Sequence, residues 1–89
     1  MNAARLPALP NFAPLAGLTQ AQINAEYKAA IELEARHKLA AREAAIVIRA
    51  EFRAEVIARY QAIAKAAFER QIECYTTFRA NHAAAQLAA

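Results

Sequence analysis

Serine, aspartate and tryptophan are absent from this 89-residue chain, and glycine and cysteine occur once each. Without serine or aspartate the chain cannot build a Ser-His-Asp triad or an aspartate-based acid–base pair. Gly17 alone cannot form a phosphate-cradling loop or a dinucleotide fingerprint, both of which need several glycines close together. A single cysteine, Cys74, excludes an intrachain disulfide. It is expected to pack as a small hydrophobe. His37 and His82 are the only imidazoles, and their separations from Cys74 match no zinc-site spacing. On a helix Cys74 and His82 would stand about two turns apart, too far for one to activate the other.

The residues that break helices are all at one end. Pro7, Pro10, Pro14 and Gly17 precede residue 18, and nothing from Ala21 to Ala89 is proline or glycine. Each proline fixes φ and pushes the residue before it toward extended backbone, so residues 1–18 read as an extended arm. Unlike a flexible linker, the arm is apolar. Leu6, Leu9, Phe12, Leu15 and Leu18 recur every third residue. In a polyproline-type helix, with its three residues per turn, these five would line one edge and need a surface to lie on. The prolines also interrupt the apolar region that a signal peptide would need, and no uncharged run is apolar enough to span a membrane. Pro7 and Pro10 form a P-x-x-P spacing, but Arg5 stands one position too close for the usual basic anchor of such ligands.

Residues 19–89 read as helical. Twenty-seven alanines favour helix but supply few large side chains for a core. Thr19 and Gln22 have the spacing of a capping box, and Leu18 and Ile23 that of a hydrophobic staple. From there no residue forces a stop before Asn81, and the alanines beyond it can continue the helix. One expectation is a single long helix. The other is a two-helix hairpin turning near residues 36–45, where Leu39 is the only large apolar side chain. The apolar stripe of Ile23, Tyr27, Ile31, Ala35 and Leu39 continues through Ile48, Phe52, Val56, Tyr60, Ile63 and Ala67. Phe68, Ile72, Tyr75 and Phe78 follow on a neighbouring stripe. Some positions recur at eleven residues (Ile46, Ile57, Phe68; Phe52, Ile63, Cys74), which suits nearly straight helix packing. A leucine-based heptad is not visible. Glu32 with Arg36, Glu34 with Lys38, and Glu55 with Arg59 are i, i+4 pairs in the favourable order.

Two further patterns bear on chemistry. Glu34 and His37 have the Glu-x-x-His spacing of helical carboxylate–metal sites, with Glu51, Glu55, Glu69 or Glu73 as a second carboxylate on a facing helix. Arg36 and Lys38 flank that histidine and would be unwelcome in a dry metal core. On a continuous helix Lys38, Arg42, Arg49 and Arg53 would share one face able to touch phosphates, bordered by Glu34 and Glu43. The net charge of +3 is spread along the chain rather than clustered, which argues against a nucleic-acid footprint.

The expectation is therefore an all-α chain: an extended arm over 1–18 and a long helical region over 19–89, packed in an oligomeric helical bundle. No cofactor, metal site or catalytic group is assigned. The expected interface comprises Leu6, Leu9, Phe12, Leu15 and Leu18 on the arm. On the helix it comprises Ile48, Phe52, Val56, Tyr60, Ile63, Phe68, Ile72, Tyr75 and Phe78. The expected role is a non-enzymatic structural or assembly subunit that packs by its helix and clamps a neighbour with its arm, as in a virion, tail, scaffold or secretion complex. The alternatives are a small helical regulator or inhibitor of a partner protein and, less favoured, a nucleic-acid-binding helical dimer. Partners would be copies of itself or another protein, with no membrane. The place would be the cytoplasm or the interior of a macromolecular assembly, with no recognisable secretion signal.

Overall fold

The computed structural model describes residues 6–89. Residues 1–5 of the arm, Arg5 among them, lie outside the described residues. The chain is all-α: α1 spans Gln20–Val47 and α2 spans Ala50–Ala88, with no strand among the described residues. The two helices run antiparallel as a hairpin of 59 × 19 × 15 Å. Of the two architectures open from the sequence, the hairpin is the one adopted.

The turn is not at residues 36–45, which stay inside α1. The helix breaks at Ile48, in extended backbone, and at Arg49, each with a ψ of 141° that is not helical. The cause lies in the local side chains. Ile46, Val47 and Ile48 are three β-branched residues in succession, stiff at χ1 and poor in helix propensity, whereas residues 36–45 are strong helix formers. The Ile48 N–H closes the last turn of α1 on the Ala44 carbonyl at 3.1 Å. Arg53 then reaches back one turn, and its Nε and Nη2 donate to the Ile48 carbonyl at 3.2 and 2.9 Å. A cation on an orphan carbonyl is a favourable end to a helix. Ile46 and Val47 are left 81% and 73% exposed at the tip.

At the other end the sequence signals hold. Thr19 accepts from the Gln22 N–H at 3.1 Å, and the Gln22 side chain accepts from the Thr19 N–H at 2.8 Å. Leu18 packs against a cluster of Leu15, Ile23 and Cys74, as a staple should. Gly17 has φ of 84° inside a turn closed by Leu18 N–H to Leu15 O at 3.1 Å. A turn with a left-handed third residue favours glycine.

The helix–helix seam is a heptad that the apolar stripe read from the sequence meets in α2, at Val56, Tyr60, Ile63 and Ala67, but leaves in α1 after Tyr27, since Ile31, Ala35 and Leu39 are exposed. In α1 the buried and half-buried positions include Ile23, Tyr27, Ala30, Glu34, His37, Ala41 and Ala44. In α2 they include Val56, Tyr60, Ile63, Ala67, Arg70, Cys74 and Thr77. Both sets step alternately by four and three, the period that keeps one stripe facing a partner helix. In α1 the stripe escapes notice because alanine, glutamate and histidine fill it instead of leucine. Along the seam alanine alternates with larger groups: Ile23 and Cys74 toward one end, Ile63 in the middle, and Val56 and Tyr60 toward the other. Gln20 and Asn81 close the open end, Gln20 donating to the Phe78 carbonyl at 3.0 Å and accepting from Asn81 at 3.3 Å. Asn81 does not stop α2, which runs on to Ala88.

The arm lies along its own hairpin. Arg59 donates to the Pro7 carbonyl at 2.9 Å. The Arg70 guanidinium sits 5.1 Å from the Phe12 ring centre. Leu15 is buried against Ile23 and Cys74. The arm therefore runs parallel to α2, from Arg59 toward Cys74. The fifteen helix steps between those residues span about 22 Å. Eight arm steps in polyproline form would span about 25 Å, which is a close match. Three arm residues, about 9 Å, also nearly equal one heptad of helix, about 10.5 Å. The period-three apolar edge is thus nearly commensurate with the period-seven seam, although not every member of it is covered. Leu15 is buried and Leu6, Phe12 and Leu18 are half-buried, while Leu9 turns outward. Among the described residues no helix is long and apolar enough to cross a membrane.

Candidate protein-docking face

A helical hairpin has two grooves, one on each side of the plane containing the helix axes. The arm occupies one. The other is open and is floored by Ala41 and Ala64, both buried. Ile57 and Phe68 from α2 and Ala45 from α1 wall it, and Glu34, Lys38, Arg42, Gln61 and Lys65 line its edges. Its volume is about 690 Å³. Farther along the same side, toward the open end, a second hollow lies between Tyr27, Cys74, Tyr75 and Phe78. A spacing of seven residues places Phe68 and Tyr75 in line on that side of α2. Phe68 is 50% exposed and Tyr75 54% exposed. Aromatic side chains left this open in a row are more informative than scattered aliphatics.

The interface residues expected on the helix therefore divide. Ile63 is buried in the hairpin's own seam, and Ile48, Phe52, Val56 and Tyr60 are half-buried near the turn. Phe68, Ile72, Tyr75 and Phe78 remain exposed. The expected arm residues, Leu9 apart, are covered at least in part within the chain. Ile31 on α1 is exposed as well, and belongs to the open side by its helical position.

The polar patterns found in the sequence are spent on the fold. Glu34 pairs with Lys38 at 2.9 Å and accepts from Gln71 at 2.7 Å. The hydrogen bond from Lys38, then that from Gln71, holds the Glu34 carboxyl below its ordinary value. His37 places Nδ1 2.9 Å from the Leu33 carbonyl, and its ring lies 5.9 Å from that of Tyr60. Glu34 and His37 thus have separate partners, and among the described residues no three His, Cys, Asp or Glu side chains gather as a metal site. The basic stripe pictured on a continuous helix is divided by the turn: Arg53 caps Ile48, and Arg49 pairs with Glu51 at 3.4 Å. Arg59 is bonded to the arm instead of forming the expected pair with Glu55.

Arg70 is the residue that sequence reasoning missed. It occupies a heptad position of the seam, with its side chain 2% exposed. Its two terminal nitrogens donate to Glu26 at 2.9 Å and Glu73 at 2.6 Å. Burial works against its charge, but the bonds to Glu26 and then Glu73 outweigh it and raise the pKa. Arg70 therefore ties α1, α2 and, through Phe12, the arm. Cys74 lies one turn further on, fully buried, with its thiol pKa pushed up by that burial and only partly offset by Arg70. Both features make Cys74 a packing group, because a reactive thiol needs access and a stabilised thiolate.

Comparison with protein-family models, curated proteins and solved structures finds no match for this chain.

Proposed function

We propose that the chain is a non-enzymatic subunit that joins a larger protein assembly through the open side of its hairpin. The observation that carries this reading is the line of Phe68 and Tyr75 beside the uncovered groove. The hairpin has already used its seam and its other groove on itself, so this side is what it has to offer. Exposed aromatic groups in line with a groove fit protein recognition, where such side chains contribute most of the binding energy. The arm enters the reading with a different part from the one expected: it holds its own hairpin together, with Leu9 left outward.

A photo-crosslinking amino acid at position 68, in the cells that make the protein, tests this. Adducts to a defined protein should form from position 68 and not from Glu55, which faces away from the open groove. Absence of protein adducts at 68, or equal adducts at both positions, would overturn the reading.

A further inference from the structure

The charge around the open groove identifies the chemistry of its occupant, an inference that rests on the docking reading above. Arg42 on α1 and Lys65 on α2 stand on opposite rims of the groove. Neither forms an ion pair among the described residues. The only carboxylate lining the groove, Glu34, is engaged by Lys38 and Gln71. The rims are therefore cationic, and the floor between them is apolar and low, because Ala41 and Ala64 are small. Two such faces pressed together would set Arg42 and Lys65 of one copy against the same cations of the other, with no free carboxylate to separate them. Like charges across an interface cost several kcal/mol and select against that pairing.

We propose that this groove receives an amphipathic helix of a different protein, with its apolar stripe on Ala41, Ala64 and Phe68 and glutamate or aspartate on both flanks. A third helix laid between two antiparallel ones makes a three-helix bundle and covers all three apolar faces. The arm shows, on the opposite side, that this hairpin already buries an apolar segment along its length. A concave groove with charge on both banks suits a rod of the same shape better than a flat lipid surface.

The test uses the full chain and two labelled helical peptides of about six turns, at about 3.6 residues per turn. Both carry the same leucine stripe. One has glutamate on its flanks and the other lysine. Fluorescence anisotropy should show the glutamate peptide binding at least about tenfold more tightly, with the margin shrinking as salt is raised. Arg42→Glu combined with Lys65→Glu should reverse the preference while leaving the melting temperature near that of the parent. Equal affinity for both peptides, lost on Phe68→Ser, would overturn the acidic partner and leave the docking face standing. Binding of neither peptide would also overturn it, and only the further absence of crosslinks at position 68 would take the docking face with it. Binding to phosphatidylserine–phosphatidylcholine vesicles or to duplex DNA in place of the glutamate peptide would overturn it in favour of those surfaces.

Discussion

Arg70 is buried, but its partners are not: the side chains of Glu26 and Glu73 keep 41% and 56% of their exposure. Removal of the guanidinium would therefore leave two carboxylates that water can solvate, and not a stranded interior charge. Its Nε already lacks a hydrogen-bond partner, which is itself unfavourable in the interior. Replacement of a buried ion pair by an apolar group of similar volume is often neutral or better. Arg70→Met should thus cost less than about 1 kcal/mol in chemical denaturation, whereas Arg70→Ala should cost about 2 kcal/mol or more by leaving a cavity. Equal losses in the two variants would show that charge, and not volume, is what the site uses. Glu34 gives a pH dependence of known sign. Its folded-state pKa is below its ordinary value of 4.5, so its contribution is complete above that pH and is lost as pH falls through the lowered value. The melting temperature should drop on acidification below about pH 4.5, and Glu34→Gln should flatten part of that drop. The profile can be followed by circular dichroism.

The elements were legible in unequal measure. The start of α1 could be read to the residue, because Thr19, Gln22, Leu18 and Ile23 act on near neighbours in the chain. The turn could not, because Ile46, Val47 and Ile48 read equally as a core stripe and as a poor helix, and only the tertiary pairing decides between them. The seam was legible in α2, where Val56, Tyr60, Ile63 and Ala67 already stand in the apolar stripe, and hidden in α1, where Ala30, Glu34, His37 and Ala41 give no contrast in hydropathy. The arm's need for a surface was plain from its apolar edge, but a chain's own hairpin and a neighbour's look the same in sequence. Two changes probe these elements. Arg53→Ala should remove the cap on Ile48 and cost about 1 kcal/mol at this half-exposed site, measured by urea unfolding. Leu15→Ala should loosen the arm, lower stability by about 2 kcal/mol and speed modification of Cys74 by a thiol reagent. If labelling of Cys74 stays at the parent rate, the arm is not what shields it.

At the scale of the whole molecule the hairpin and the single long helix differ in size more than in helix content. The folded chain has a Cα radius of gyration of 16.9 Å. An unbroken helix over the same residues would be a rod of about 100 Å, with a radius near 30 Å. Small-angle scattering on the monomer should return the smaller value, and the larger would mean that the turn at Ile48 and Arg49 does not hold in solution. The position of the arm has one more consequence, and it concerns time. Leu15 leaves the ribosome ahead of both helices, but Cys74, against which it packs, is made 59 residues later. At about 5–20 residues per second the segment waits roughly 3–12 s for its seat. The first part of the fold to be synthesised is thus among the last to be placed. Throughout that interval Leu15 has only its near neighbours Leu18 and Ile23 to pack against, and the Cys74 side of its seat does not yet exist.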